Sequence, residues 1–374
     1  MTMDDAMTKR MLDRCDLHWD RLPQDFFEAP FLGNGGLGAA VYVVEDRLSF
    51  IVNDSRYADH QTGEDLPLLF GRSRLPVGRL SVRTRGDLVG ARLVLGLHDA
   101  TLRGTVTTTR GVFSIDAYVH ATEDLLVVDL DPAGGERVEV EFEPATARSP
   151  RLDWNTRPEG LATNPAPVVT GRLVEQDLVA GGRTATRWVT RRSTVLLTVA
   201  HTFPHRDASR VTQSTLEHAG GLGELRRSHR RWWHHLYRRS AVILPDARLQ
   251  SFYWTQVYKI ASATREDRPV MATTGPWLER TPWPATWWNL NTQLSYWMIQ
   301  ATGHRELDAV TRAISEGQRN LALNVPSSTA TTRRSSAARR RTISAPIRWA
   351  CRGRTCRMSA WRRGTCCGVC TTCG

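Results

Sequence analysis

The nineteen residues LGELRRSHRRWWHHLYRRS, Leu222 to Ser240, mark the place where one sequence pattern stops and another begins. Before them, apolar residues alternate with polar ones. Phe113, Ile115, Ala117 and Val119 alternate with Ser114, Asp116 and Tyr118, and Val138, Val140 and Phe142 alternate with Arg137, Glu139 and Glu141. Period-2 alternation is the mark of strands with one buried face. Turn clusters such as Pro132–Gly135 separate these runs. The spacing predicts a sandwich of antiparallel sheets over residues 25–215, after a lead-in at 1–24. The strands do not alternate with helices, which argues against a Rossmann-type fold.

Within the opening stretch, Leu222, Leu225, His229, Trp232 and Trp233 fall near helical spacing. His229, His234 and His235 are metal-ligand residue types, but the many arginines around them read as a solvated basic face backed by an aromatic stripe. Residues 216–245 are therefore taken as a helical linker. After Pro245 the pattern predicts a helix over 246–264 with Leu249, Tyr253, Val257 and Ile260 on one face. Further helices are expected over 292–301, with Leu294, Trp297 or Met298, and Ala301 on one face, and over 305–323. The fold class is thus α+β and multidomain: a β-sandwich, a helical linker, and a set of helices over 246–325. About three helices cannot enclose a large helical core, so part of their apolar surface should remain exposed.

The tail, residues 326–374, has a different composition. It holds 11 Arg and six of the seven Cys, and no Asp, Glu, Lys or Leu. The whole chain carries 50 Lys+Arg against 38 Asp+Glu; without the tail the count is 39 against 38. The basic character that would point to nucleic acid therefore resides in the tail, and none is expected from the folded body. The chain has two lysines, Lys9 and Lys259, against 48 arginines, which fits a GC-rich gene. Out-of-frame translation of such a gene yields Arg, Ala, Ser, Thr, Gly and Cys. Moving the frame back one nucleotide allows Thr365–Gly374, TCCGVCTTCG, to be read as DLLWGLHHLR, an aliphatic helix pattern. The tail is accordingly expected to be out of frame and disordered. The competing reading is a metal site, because Cys367, Cys370 and Cys373 have C-x2-C-x2-C spacing, with Cys351, Cys356 and Cys366 nearby. The stretch lacks the apolar residues that pack around such a site, and no metal or other cofactor is expected. The start MTMDDAMTKR has no apolar signal core and no run is long enough to span a bilayer. The compartment is expected to be the cytoplasm or is left open, and no membrane partner is expected.

Chemistry concentrates in residues 275–297, GPWLERTPWPATWWNLNTQLSYW. Trp277, Trp283, Trp287, Trp288 and Trp297 crowd this stretch. That much indole serves either a hydrophobic core or a sugar site, where flat ring faces stack on the indole. Pro282 and Pro284 hold Trp283 in extended, irregular chain, which favours a site. Asn289 and Asn291 stand at i and i+2, a spacing that points both amides the same way only in extended chain. They are read as lying on the loop entering the helix, with Asn291 a candidate N-cap. They serve either as cap and turn residues or as two amides orienting a water or a sugar hydroxyl. Glu266, Asp267 and Glu279 read as solvated loop carboxylates without the burial that general acid work requires.

Residues 275–297 resemble the first catalytic-domain motif of glycoside hydrolase family 95, the inverting α-L-fucosidases and their relatives. Asn289, Asn291, Gln293, Tyr296 and Trp297 match its N-x-N-x-Q-x-x-Y-W core. FLGNGGLGAAVY, Phe31–Tyr42, followed by Val52-Asn53-Asp54, resembles the family's opening motif and its later N-E-D stretch. The resemblance covers residues 30–325, and relatives are often exported, which leaves the compartment open. It implies an N-terminal β-supersandwich, a helical linker, and the first helices of an (α/α)6 barrel over 246–325. It also implies hydrolysis of α-L-fucosides or related α-linked sugars by inverting water attack. Asn289 and Asn291 would orient the water, and Trp277, Trp283, Trp287, Trp288 and Gln293 would bind substrate. In the family the general acid and base lie downstream, and no position here matches them. The one-nucleotide reconstruction of the tail can yield the family's later D-S-A and G-D-L-x-W-x-L-H stretches. The expectation is an inactive, truncated product of an interrupted gene. The alternatives are a carbohydrate-binding protein without catalysis, and a nucleic-acid binder acting through the arginine tail.

Overall fold

A computed structural model describes residues 4–63, 65–240, 242–288 and 290–323. The tail 326–374, with its cysteine cluster, and Asn289 lie outside the described residues. The strands in chain order are β1 (Leu17–Trp19), β2 (Phe31–Gly33), β3 (Leu37–Val44), β4 (Arg47–Asp54), β5 (Gly78–Thr84), β6 (Leu88–Gly96) and β7 (Thr101–Thr108). They continue with β8 (Gly111–Val119), β9 (Leu126–Ala133), β10 (Val138–Pro144), β11 (Val168–Thr170), β12 (Leu173–Asp177), β13 (Arg183–Arg191) and β14 (Thr194–Thr202). The helices are α1 (Asp5–Leu12), α2 (Leu68–Gly71), α3 (Ala208–His218), α4 (Leu222–Arg239), α5 (Ala247–Ala263), α6 (Leu290–Thr302), α7 (Ala309–Glu316) and α8 (Gln318–Leu323).

Two antiparallel sheets form the sandwich. One has nine strands in the order β1-β6-β7-β8-β9-β14-β13-β12-β11, and the other has five in the order β10-β5-β4-β3-β2. The alternation read along 113–119 holds for Phe113, Ile115 and Ala117, which are buried, but Tyr118 on the opposite face is buried as well, against Leu125, Leu196, Leu216 and Leu225; β8 pairs with β7 and β9. Phe50, Val52, Leu80 and Val82 of the smaller sheet and Leu95, Leu102, Leu126 and Val128 of the larger one join a single apolar core. The expected α+β architecture is present, with two differences at its edges. The lead-in adds α1 and the edge strand β1, paired to β6, and the stretch expected as β through residue 215 ends in α3, which packs on β13 and β14.

The linker helix falls where the pattern placed it, but its buried face differs. Leu225, His229, Trp233, Leu236 and Tyr237 are buried, while His235 is exposed. His229 is therefore a core residue, its Nε2 2.9 Å from the Asp99 carbonyl oxygen, and not part of a solvated face. Burial pushes its pKa down to about 3, a neutral ring at ordinary pH.

Helix α5 is also rotated from its expected setting. Gln250, Trp254, Val257, Tyr258 and Ala261 are buried, whereas Leu249 and Phe252 are exposed. The large rings decide this: Tyr258 meets Trp233 at 5.3 Å between centroids, and Trp254 meets Tyr237 at 5.9 Å. On α6 the buried residues are Thr292, Tyr296 and Ile299, while Leu290, Leu294 and Trp297 are exposed. The face expected to be buried is thus the one turned outward. The helix expected over 305–323 is broken into a short 3-10 turn, Arg305–Leu307, then α7 and α8, with Gly317 between the two helices. Among the described residues, no helix is long and apolar enough to cross a membrane.

Candidate functional site

The site rests on the glycine-rich β2–β3 hairpin. Asn34 closes its turn by accepting from the Gly36 and Leu37 amides at 3.0 and 2.9 Å, and it donates to the carbonyls of His120 and Glu123, each at 3.0 Å. The glycines mark where other chain segments approach. A Cβ on Gly33 would lie 2.5 Å from the Ser262 carbonyl oxygen at the end of α5, and one on Gly38 would lie 2.9 Å from the Pro276 ring. Gly35 has φ +82°, and its amide donates to the same Ser262 oxygen at 2.9 Å. The motif is therefore a seam joining the sandwich to α5 and to the tryptophan loop.

That loop, residues 275–288, is pinned from the sandwich side. Arg74 is fully buried, and its guanidinium donates to the carbonyls of Gly275 at 2.5 Å and Pro276 at 2.7 Å. Its backbone amide donates to Pro284 at 2.6 Å. Burial without a directly bonded carboxylate pulls its pKa down to about 10. Asn53 donates to the Leu278 carbonyl at 3.3 Å, and the Tyr42 hydroxyl donates to Glu279 at 3.1 Å. Glu279 also accepts from the Arg280 amide at 2.9 Å, so both of its oxygens are engaged. Arg151 reaches the Pro282 carbonyl and lies 5.9 Å from the Trp283 ring centre. Tyr42, Asn53, Arg74 and Arg151 thus fix a loop more than 120 residues downstream. Of these, only Tyr42 and Asn53 fall in a motif that the sequence singled out.

The tryptophans separate into two groups. Trp277 is buried, donates its indole N–H to the Leu32 carbonyl at 2.8 Å, and packs edge-on against Phe31 at 5.2 Å. It fills the seam and presents no open ring face. Trp288 is half-buried against the apolar core. Trp283 is 51% exposed, and Trp287 stands edge-to-face against it with centroids 4.5 Å apart. The Trp287 indole N–H is buried and has no hydrogen-bond partner among the described residues.

Helix α6 begins at Leu290, one residue ahead of Asn291. Asn291 is therefore exposed within the first helical turn and not extended, so the geometric argument from i and i+2 spacing does not hold for it. Gln293 is exposed on the same helix. Thr292, through its hydroxyl at 2.6 Å and its amide at 3.2 Å, ties the helix start to the Trp287 carbonyl. Tyr296 is structural: its hydroxyl lies 2.8 Å from the Thr264 hydroxyl and accepts from the Met271 amide at 3.1 Å.

A separate cleft of about 300 Å³ is lined by Trp232, His235, Leu236, Arg239, Glu266, Arg305 and Glu306. It holds two carboxylates and an indole, and none of the residues singled out as binding substrate. Burial alone would raise the Glu306 pKa, but His304 at 3.6 Å from one carboxylate oxygen and the Arg239 guanidinium bonded to the other hold it at about 2. Glu306 is therefore an anion at neutral pH and not a proton donor.

No protein-family model and no curated protein matches this sequence. Among solved structures, the chain is similar to a protein assigned as a kojibiose phosphorylase from the human microbiome, with TM-score 0.44 and 10% identity over 73% of this chain and 40% of that one. It is also similar to a bacterial glucoamylase complexed with acarbose, with TM-score 0.39 and 7% identity over 72% of this chain and 48% of that one. The chain spans less than half the length of either. Likeness at this level carries no argument about substrate or residues.

Proposed function

We propose that the chain is the front part of a glycoside hydrolase acting on α-L-fucosides or related α-linked sugars, able to hold a sugar but not to cleave it as translated. The observation that carries the reading is the Trp283–Trp287 pair. Trp283 is half-exposed in a loop held from the sandwich side, and a pre-fixed indole loses little freedom when a pyranose ring stacks on it. The buried Trp287 N–H has no partner among the described residues, a state that costs about 1–3 kcal/mol and that a water or, after a small shift of the ring, a sugar oxygen would relieve. Asn291 and Gln293 lie exposed at the start of the helix that follows. The motif resemblance assigns Asn289 and Asn291 to orienting the attacking water. On this reading the general acid and base of inverting hydrolysis, which stand about 6.5–9.5 Å apart to admit that water, belong to chain beyond the reading-frame break near residue 326. The apolar face of α6, Leu290, Leu294 and Trp297, is the side that further barrel helices would cover.

Calorimetry with fucosylated and galactosylated oligosaccharides, paired with an aryl α-L-fucoside assay, tests this. Saturable binding without turnover is expected. The absence of heat removes the reading, and turnover at rates typical of glycosidases removes the truncation.

A further inference from the structure

Three segments distant in sequence meet at one point far from the tryptophan loop in the chain: the first residue of α1, the turn between β6 and β7, and the middle of α4. They bring together Asp5, His98 and His234, whose ligand-type atoms all lie within 4.8 Å of one another. We infer that this cluster is a divalent-metal site of the zinc class, with Asp5 Oδ1, His98 Nε2 and His234 Nδ1 as ligands and solvent completing the coordination.

The distances favour a shared ion over direct bonding. Asp5 Oδ1 lies 3.7 Å from His98 Nε2 and 3.6 Å from His234 Nδ1, too long for hydrogen bonds. Two ligands each ~2.1 Å from zinc at a tetrahedral angle stand ~3.4 Å apart, close to these spacings. His98 supplies the second observation. Its side chain is 5% exposed, yet neither ring nitrogen has a hydrogen-bond partner among the described residues. Nδ1 lies 3.4 Å from Asp99 Oδ1 without hydrogen-bond alignment. A buried imidazole left in that state costs stability unless something is bound.

His234 is oriented as a metal ligand would be. Its Nε2 lies 3.0 Å from Asp99 Oδ1, which holds that side of the ring and turns Nδ1 toward the Asp5 carboxylate. A ring nitrogen and a carboxylate oxygen 3.6 Å apart leave room for a cation between them. Asp99 is itself saturated by Arg103 and Arg230, each 3.0 Å from Oδ2, so it acts as the outer partner and not as a fourth ligand. The His98 and His234 rings stack with centroids 3.8 Å apart and planes 26° from parallel, so they would turn on binding for both nitrogens to face an ion beside Asp5. The Asp5 side chain is 49% exposed, which provides the entry path. The ion would fasten α1 to the sandwich and to α4. Of the three residues only His234 stood out in the sequence as a metal-ligand type, beside His229 and His235, because the three share no local motif.

The test uses the full chain, stripped with a chelator and with its cysteines alkylated so that the tail thiols cannot bind. It is titrated with zinc chloride at neutral pH, and hydrogen exchange is followed in residues 4–12. One equivalent should bind and slow exchange in α1. Asp5→Asn and His234→Ala should each remove that equivalent, Asp99→Asn should weaken it about 10–100-fold, and exposed His235→Ala should leave it unchanged. Because Asp5 is half-exposed, its variant tests the site without disturbing the core. The absence of saturable binding, or binding indifferent to Asp5→Asn and His234→Ala, overturns the proposal.

Discussion

Replacing Arg74 examines the clamp that sets the tryptophan loop. Arg74→Met removes two charge-assisted hydrogen bonds to the buried carbonyls of Gly275 and Pro276. Each such bond contributes about 1.5–3 kcal/mol, so their loss costs about 3–6 kcal/mol. The same change removes a fully buried cation whose pKa burial has drawn down to about 10, which returns about 3 kcal/mol. The net destabilisation should be about 0–3 kcal/mol. Arg74→Lys keeps a charge in the interior but cannot span both carbonyls, so it gains less relief while losing the fork. The lysine variant should therefore be the less stable of the two. Denaturant unfolding measures the difference, and hydrogen exchange over residues 275–288 localises it. A lysine variant equal to the parent would show that charge alone matters, and unchanged hydrogen exchange over residues 275–288 in the methionine variant would show that the clamp does not hold the loop; either result refutes the reasoning.

Three further outcomes follow from the same geometry. Gly33→Ala and Gly38→Ala force a methyl to within 2.5 Å of the Ser262 oxygen and 2.9 Å of the Pro276 ring, and each should destabilise by about 1–3 kcal/mol in chemical unfolding. His60 and His201 face each other Nε2 to Nε2 at 3.0 Å near Arg56, Arg72 and Asp59, and both are held neutral at a pKa of about 4, by burial first and then by neighbouring positive charge. The unfolded chain binds more protons between about pH 6.5 and 4, so stability should fall through that window as pH decreases, by about 3 kcal/mol for His201 and by less for the more exposed His60, and His201→Gln should flatten the profile measured by thermal melts. Deleting residues 326–374 removes 11 arginines and should abolish the steep salt-dependent affinity for DNA in a filter-binding titration, leaving the melting of the body unchanged.

The alternation in β8 and β10 and the aromatic helix at 222–240 were legible because each pattern repeats within a few residues and each element has one side more buried than the other. The rotation of α5 and α6 was not. Leu249, Leu294 and Trp297 are as apolar as Trp254, Tyr296 and Ile299, and what decides between the two faces is which partner stands opposite. Trp233, Tyr237 and Thr264 fill that role, and periodicity along a single helix does not contain them. The glycines of Phe31–Tyr42 read as ordinary turn residues; their reason lies more than 220 residues away, in Ser262 and Pro276. The same separation hid Arg74 and Arg151, and it hid the meeting of Asp5 with His98 and His234. Of the residues singled out for the site, Trp283 and Trp287 stand together on the surface, Asn291 and Gln293 are exposed on the helix that follows, and Trp277 belongs to the seam.

A tryptophan-fluorescence titration of the full chain with a fucosylated oligosaccharide, run beside Trp283→Ala and Trp277→Phe, tests the central claim most directly. A saturable change that disappears in Trp283→Ala but survives in Trp277→Phe is the predicted result. An unchanged spectrum in the parent chain, or a response that persists without Trp283, contradicts it.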